Sequence, residues 1–209
     1  MSDFRLMKFP NFQAYRDAQV RANEEKQDVI WVDRENIEFL SRYILTKIPH
    51  PTFGLCHGTR QGKEQEWFHE FLGCDVLGTE ISPSADTYPN TIEWDFHKIK
   101  AEWIVNTDFI YSNSLDHSYN PEKCLNAWVK CLKPGGLIIL EHSMPGHGPD
   151  KVTESDPFGV DFPTMCSLLD QWGKGNNVMR SRYAIADILT GPSMREDMDE
   201  LNYIVIERA

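Results

Sequence analysis

Polar residues capable of chemistry recur along this 209-residue chain at one kind of place, just past the end of a short apolar run. Phe53-Gly54-Leu55-Cys56 leads into His57-Gly58-Thr59-Arg60-Gln61-Gly62, and a helical stretch follows directly. A strand that feeds a glycine-rich turn at a helix N-terminus points backbone N–H groups and the positive end of the helix dipole at one spot. Glycine there admits a ligand that a Cβ would block, so the corner suits a nucleotide. After the next run stands Glu80, a carboxylate able to accept hydrogen bonds from both hydroxyls of a ribose. The third run ends on Asp95-Phe96, an acceptor beside a ring face, suited to an adenine amino group and its ring. The fourth is followed by Asn113, Ser114, Asp116 and His117, and the fifth by Glu141-His142-Ser143.

Alternating elements must position these residues. Strands are predicted at Thr52–Cys56, Asp75–Thr79, Thr91–Trp94, Phe109–Ser112 and Leu137–Glu141, with helices at Lys63–Leu72 and Pro121–Leu132 among the segments between them. Short strands alternating with helices imply right-handed crossovers and a parallel sheet covered on both faces. In such a sheet ligands bind beyond the carboxyl ends of the strands, where the strand order reverses. Upstream, residues 1–50 read as a helical cap ahead of a domain spanning 51–209. Asp33 is the expected N-cap of a helix carrying Ile37, Leu40, Tyr43 (or Ile44) and Ile48, stopped by Pro49 and Pro51. Residues 13–28 admit a loosely packed helix or a lid. Ser143–Phe162 reads as a long loop rich in Gly, Pro and Asp, and Met165–Trp172 as a helix. Tyr183–Leu189 and Leu201–Glu207 read as an antiparallel pair closing the sheet edge.

Composition narrows the partners. A formal net charge of −11 argues against nucleic acid, whose phosphates call for a basic surplus. No segment is long and apolar enough for a membrane span, and the start of the chain does not read as a signal peptide. Five cysteines without C-x-x-C spacing read as reduced core thiols, so a cytoplasmic protein is expected. His57, His97, His142, His147 and Cys56 form no ligand pair of standard spacing, and no metal is expected.

Taken in order, these marks resemble the class I S-adenosylmethionine-dependent methyltransferases of small-molecule type. The resemblance rests on Glu80 ending the second strand, Asp95-Phe96 ending the third, Leu115-Asp116-His117 after the fourth, and Leu132-Lys133-Pro134-Gly135-Gly136 before the fifth. It implies an α/β fold: a Rossmann-like three-layer sandwich around a mostly parallel seven-stranded sheet with a final antiparallel strand, plus N-terminal helices. It also implies S-adenosylmethionine as cofactor, held by His57, Gly58, Thr59, Arg60, Gly62, Glu80, Ile81, Asp95, Phe96, Asn113 and Ser114. The first loop departs from the family pattern. Gly54 stands in the acid's position, Cys56 in the first glycine's and Arg60 in the third's, with Gly58 matching the second and Gly62 following two residues later. Arg60 is open to pairing with the cofactor carboxylate or with Glu80.

The implied reaction is methyl transfer to a small metabolite, sugar or lipid-like precursor. For a hydroxyl acceptor the expected base is His117 or His142, with Asp116 as orienting partner. Two alternatives compete: a binding or regulatory protein that keeps the fold without activity, and, less favoured, a nicotinamide-dependent oxidoreductase, since the first turn lacks G-x-G-x-x-G.

Overall fold

The computed structural model describes residues 4–143, 146–174, 183–192 and 200–209. Nine strands and five α-helices are described: β1 (Phe4–Leu6), α1 (Phe12–Glu25), α2 (Arg34–Lys47), β2 (Phe53–His57), α3 (Lys63–Leu72), β3 (Asp75–Glu80), β4 (Thr91–Glu93), β5 (Thr107–Ser112), α4 (Pro121–Cys131), β6 (Leu132–His142), β7 (Phe158–Val160), α5 (Phe162–Lys174), β8 (Tyr183–Pro192) and β9 (Glu200–Arg208). Local chemistry sets the helix ends. Asn11 and Asn120 accept from the backbone N–H of Ala14 and Lys123, and Pro121 sits at the first turn of α4, where no N–H is needed. Gly73 closes α3 in the left-handed conformation at φ 65°. Asp33 does precede α2 in extended conformation, without a side-chain cap.

Seven strands form one sheet in the order β4-β3-β2-β5-β6-β9-β8. Only β9 runs against its neighbours, pairing antiparallel with both β6 and β8. The last strand therefore inserts between two others, and β8 takes the edge. The chain leaves β2 towards β3 and β4 and then returns to β5, so the sheet has its switch point between β2 and β5.

One face of the sheet carries α4 and α5, packed through Leu125, Trp128, Met165 and Leu169 onto Leu55, Ile110 and Ile138. The other carries α2 and α3, through Ile37, Leu40, Ile44 and Phe68 onto Cys56, Phe109 and Tyr111. Helix α2 thus belongs to the sandwich, while α1 lies against the carboxyl ends of the strands. No helix among the described residues is long and apolar enough to cross a membrane.

Two segments differ from expectation. Leu132–Gly136 is not a turn ahead of a strand but a bulged entry into β6: Thr107 pairs with Leu132 and Phe109 with Leu137, so extra residues loop out between two register positions. The long segment after β6 contains β7, which pairs antiparallel with β1 and fastens the chain's first strand there. The connector between β8 and β9, at 193–199, lies outside the described residues.

Candidate active site

A crevice opens above the carboxyl ends of β2 and β5, and the turn 57–62 forms its floor. Left-handed residues alternate along this turn: Gly58 at φ 76°, Arg60 at 41° and Gly62 at 75°. Arg60 thus keeps the backbone shape that a glycine would adopt without strain, at a cost of about 1–2 kcal/mol. The two glycines are sterically required as well. A Cβ on Gly58 would lie 2.6 Å from the Ser114 Cβ, and one on Gly62 would lie 2.4 Å from Gln65 Nε2. At Gly54 the reason is different. A Cβ there would lie 2.2 Å from the Phe109 ring, which crosses the strand from β5 and fills the space a side chain would need. No acid can stand at that point of β2.

The crevice has two halves. The narrow one, about 40 Å³, is lined by Glu80, Ile81, Phe96, Gln19, Asn23 and Arg60 among others. Glu80 is fixed by the backbone, its two oxygens accepting from the N–H groups of Arg60 and Ser82 at 3.1 Å each. Asp95 lies in an adjoining groove with Ile81. It accepts from the His97 amide at 3.0 Å, and the ring Nδ1 of His97 lies 2.8 Å from the same oxygen, while His97 Nε2 meets the Ser118 hydroxyl at 2.7 Å. Burial works to raise the Asp95 pKa, but the His97 hydrogen bonds and Lys98 outweigh it and hold the carboxyl below its usual value. Its second oxygen is buried without a hydrogen bond, with Lys98 Nζ 3.7 Å away. Helix α1 covers this half through an aromatic clasp, with Tyr15 against Tyr119 at 4.7 Å and Tyr119 against His97 at 4.0 Å.

The wide half, about 210 Å³, is lined by Thr59, Asn113, Ser114 and a group of ionisable side chains: Glu64, Asp116, His117, Glu141, His147 and Asp156. Gln19 sets the state of His117. Its amide nitrogen donates to the carbonyls of Glu154 and Ser155, so its oxygen must face His117 Nδ1 at 3.0 Å. Nδ1 therefore carries a proton, and Nε2 lies 3.9 Å from Asp116 and 3.7 Å from Asp156. One ligating atom from each of Asp116, His117 and Asp156 lies within 4.8 Å of the others. His147 approaches Asp116 at 3.8 Å, and one Asp116 oxygen is buried without a hydrogen bond. Glu141 accepts from the Tyr111 hydroxyl at 3.0 Å. Glu64, 6% exposed, is pushed up to about 8 by burial.

Most of the residues singled out in the sequence converge here; two histidines do not. The His57 ring stacks on Trp128 at 4.7 Å between the sheet and α4, its Nδ1 2.7 Å from Thr79 Oγ1, and burial pushes it down to about 3. Only its backbone belongs to the turn. His142 donates from Nε2 to the Val160 carbonyl at 3.1 Å, lines a separate small cavity and is pushed down to about 4 by burial. Its Nε2 is thus taken up by β7, whereas the Nε2 of His117 faces Asp116 and Asp156 in the crevice. The sequence reading passed over Glu64, Asp156 and Gln19. Glu64 carried a signal, an acid in the first helical turn after the glycine loop. Asp156 sits in a loop without periodicity.

No protein-family model matches this chain, and no curated protein matches it in sequence. Solved structures do match in shape. The Burkholderia thailandensis 1,6-didemethyltoxoflavin-N1-methyltransferase, solved with 1,6-didemethyltoxoflavin and S-adenosylhomocysteine, superposes with a TM-score of 0.67 at 14% identity, covering 99% of this chain and 95% of its own. The plantazolicin methyltransferase BpumL, in complex with a pentazolic desmethylPZN analog and SAH, gives 0.67 at 15% identity over 94% and 96% of the two chains. The N-methyltransferase NodS from Bradyrhizobium japonicum WM9, in complex with S-adenosyl-l-homocysteine, gives 0.62 at 11% identity over 92% and 99%. Sheet order, the single antiparallel strand and these likenesses over nearly the whole chain agree: the protein has the class I methyltransferase fold.

Proposed function

We propose that the protein is an S-adenosylmethionine-dependent methyltransferase acting on a small-molecule acceptor. The observation that carries this reading is the convergence of Glu80, Ile81, Phe96 and the left-handed turn 58–62 on one crevice at the switch point of the sheet. The residues fit the cofactor on their own chemistry. Asp95 keeps a buried oxygen that accepts no hydrogen bond, suited to an adenine amino group, and Arg60 keeps a buried Nε without an acceptor, suited to a carboxylate. The fixed orientation of Glu80 leaves lone pairs for two ribose hydroxyls.

When bound, S-adenosylmethionine supplies an electrophilic methyl group on a sulfonium. The protein's part is to hold the two reactants in line and exclude water, worth on the order of 7–11 kcal/mol when geometry is well kept. Glu80, Ile81 and Phe96 grip one end, and α1 covers it. For a hydroxyl acceptor in the wide half, His117 Nε2 takes the proton, and Asp116 and Asp156 stabilise the imidazolium that results. Among the two histidines expected as base, geometry favours His117, because His142 is engaged with Val160 and lines a different cavity.

Thermal melts with S-adenosylmethionine, S-adenosylhomocysteine and NAD test the reading. Either of the first two at ~100 times its dissociation constant is expected to add roughly 2.7 kcal/mol of stability, with no shift from NAD. A shift with NAD alone would overturn the proposal in favour of an oxidoreductase.

A further inference from the structure

Two buried polar side chains stand behind Asp95: His97 at 3% exposure and Ser118 at 0%. With the backbone amide of Asn120, the N-cap residue of α4, they form one line of hydrogen bonds. The Asn120 N–H donates to the Ser118 hydroxyl at 3.1 Å, and that hydroxyl lies 2.7 Å from His97 Nε2. On the other side of the ring, His97 Nδ1 lies 2.8 Å from Asp95 Oδ1, which also accepts from the His97 amide at 3.0 Å. Aromatic rings enclose the imidazole, with Phe96 stacked on it at 4.7 Å, Tyr119 at 4.0 Å and Tyr15 edge-on at 5.8 Å.

Only one placement of protons satisfies this line. The ionised Asp95 can only accept, so His97 Nδ1 carries a proton. Burial, aided by Lys123 and Lys98, holds His97 below its usual value against the pull of Asp95, so the ring is neutral and Nε2 is an acceptor. The Ser118 hydroxyl, already accepting from Asn120, gives its proton to Nε2. Its other neighbour, Cys124, competes weakly, because burial keeps that thiol protonated and a thiol sulfur is a poor acceptor. Every donor therefore points towards the carboxylate, and each bond polarises the next. Asp95 Oδ1 is filled twice over, while the buried Oδ2 accepts no hydrogen bond and has only the Lys98 ammonium, 3.7 Å away on a largely exposed side chain, as a charged neighbour.

A carboxylate that can neither turn nor take up a proton accepts an amino group and repels a carbonyl. Resting on the cofactor reading above, we infer that His97 and Ser118 are positioning residues that hold Asp95 as an obligate acceptor and thereby select a 6-amino purine over a 6-oxo purine. Without the line, the carboxyl is free to rotate or to bind a proton and donate to a carbonyl.

Calorimetric titration with S-adenosylhomocysteine and with S-inosylhomocysteine, its 6-oxo counterpart, reads this selection. The unaltered protein should favour the adenine ligand on the order of 100-fold. Ser118→Ala should lower that ratio on the order of 10-fold. His97→Leu should nearly abolish it, and His97→Asn, which restores an N–H donor beside Asp95, should recover most of it. A purely structural role would weaken both ligands alike, so an unchanged ratio in Ser118→Ala and His97→Leu overturns the inference. Nitrogen-15 spectra of the unaltered protein add a test that needs no variant. His97, assigned through its contacts with the Phe96 and Tyr119 rings, should show a protonated Nδ1 and a bare Nε2; a proton on Nε2 overturns the inference. Equal affinity of the unaltered protein for the two ligands also overturns it and leaves the cofactor reading intact, whereas binding of neither overturns both.

Discussion

The two ends of the parallel sheet treat buried carboxylates in opposite ways. At the amino end, Asp108 on β5 accepts from the backbone N–H groups of Thr52 and Phe53 at 2.7 and 3.0 Å and from the Thr52 hydroxyl at 2.9 Å. Lys133 closes the set at 2.8 Å. Burial works to raise this carboxyl, and the donors overcome it and hold it below its usual value. At the carboxyl end, Glu64 is as deeply buried, has no such set of donors and is raised; Asp116 keeps a buried oxygen without a bond. The same functional group is thus a clamp where its donors are built in and a receptor where they are left out. Buried acids alone do not mark a site; what distinguishes them is whether the protein itself completes their hydrogen bonds.

That contrast can be broken at three levels. The largest effect belongs to the receptor end. Once a hydroxyl acceptor is known, His117→Ala is expected to slow turnover on the order of 10²- to 10⁴-fold without weakening S-adenosylhomocysteine, while His142→Ala leaves turnover within a few-fold. Single-turnover rates beside binding isotherms check this, and a larger loss for His142→Ala would reverse the assignment.

Next comes the clamp. Asp108→Ala strips the acceptor from two backbone amides and should cost about 1–3 kcal/mol for each group left buried without a partner, seen as a lower denaturation midpoint. Affinity for S-adenosylhomocysteine should not change, since Asp108 stands at the opposite end of the strands. A binding defect in a folded Asp108→Ala protein would erase the distinction between the two ends.

The smallest effect is one of pH. The folded protein holds Glu64 at about 8 against an ordinary value of 4.5. Between those values the folded state binds a proton that the unfolded chain does not, so this residue's contribution weakens stability as pH rises from 4.5 towards 8. Glu64→Gln should therefore raise the melting temperature at pH 8 and leave it nearly unchanged at pH 5. His57 and His142 act on the acid side, because the unfolded chain binds protons there that the folded state refuses. Their contribution is present above about 6.5 and is lost as pH falls towards the folded values of about 3 and 4. The two trends can be separated by melting both the parent and Glu64→Gln across the range.

Much of this fold was legible from periodicity. Helix α3 begins and ends at the residues its glycines announce, and the strand cores at 53–56, 75–79 and 109–112 stand out as apolar runs. Less legible was anything decided by a neighbour. That Leu132–Gly136 enters a strand depends on how Thr107 and Phe109 pair with it. That Gly54 cannot give way to an acid depends on a ring from β5. The His57 ring could have been placed by alternation alone, since it shares a face with Leu55, the face that meets Trp128, while Cys56 looks the other way. At the site, the acids at strand ends were visible because topology puts strand ends together. Glu64 was marked only by its place in the first helical turn after the glycine loop, since its relevance depends on which face of α3 meets the turn, and Asp156 reaches the crevice from a segment with no repeating pattern.

Finally, the fastening of the chain's first strand bears on the order of events in a catalytic cycle. Phe4–Leu6 pairs with Phe158–Val160, the Met7 amide donates to the Pro157 carbonyl at 2.8 Å, and Gln19 in α1 holds the carbonyls of Glu154 and Ser155. The cover of the narrow half and the outer wall of the wide half are therefore tied into one piece. On the proposed reading, cofactor exchange and acceptor exchange share a single gate: α1 cannot lift without drawing the 154–160 segment with it. Such coupling predicts that spent cofactor departs only when the acceptor side is also open.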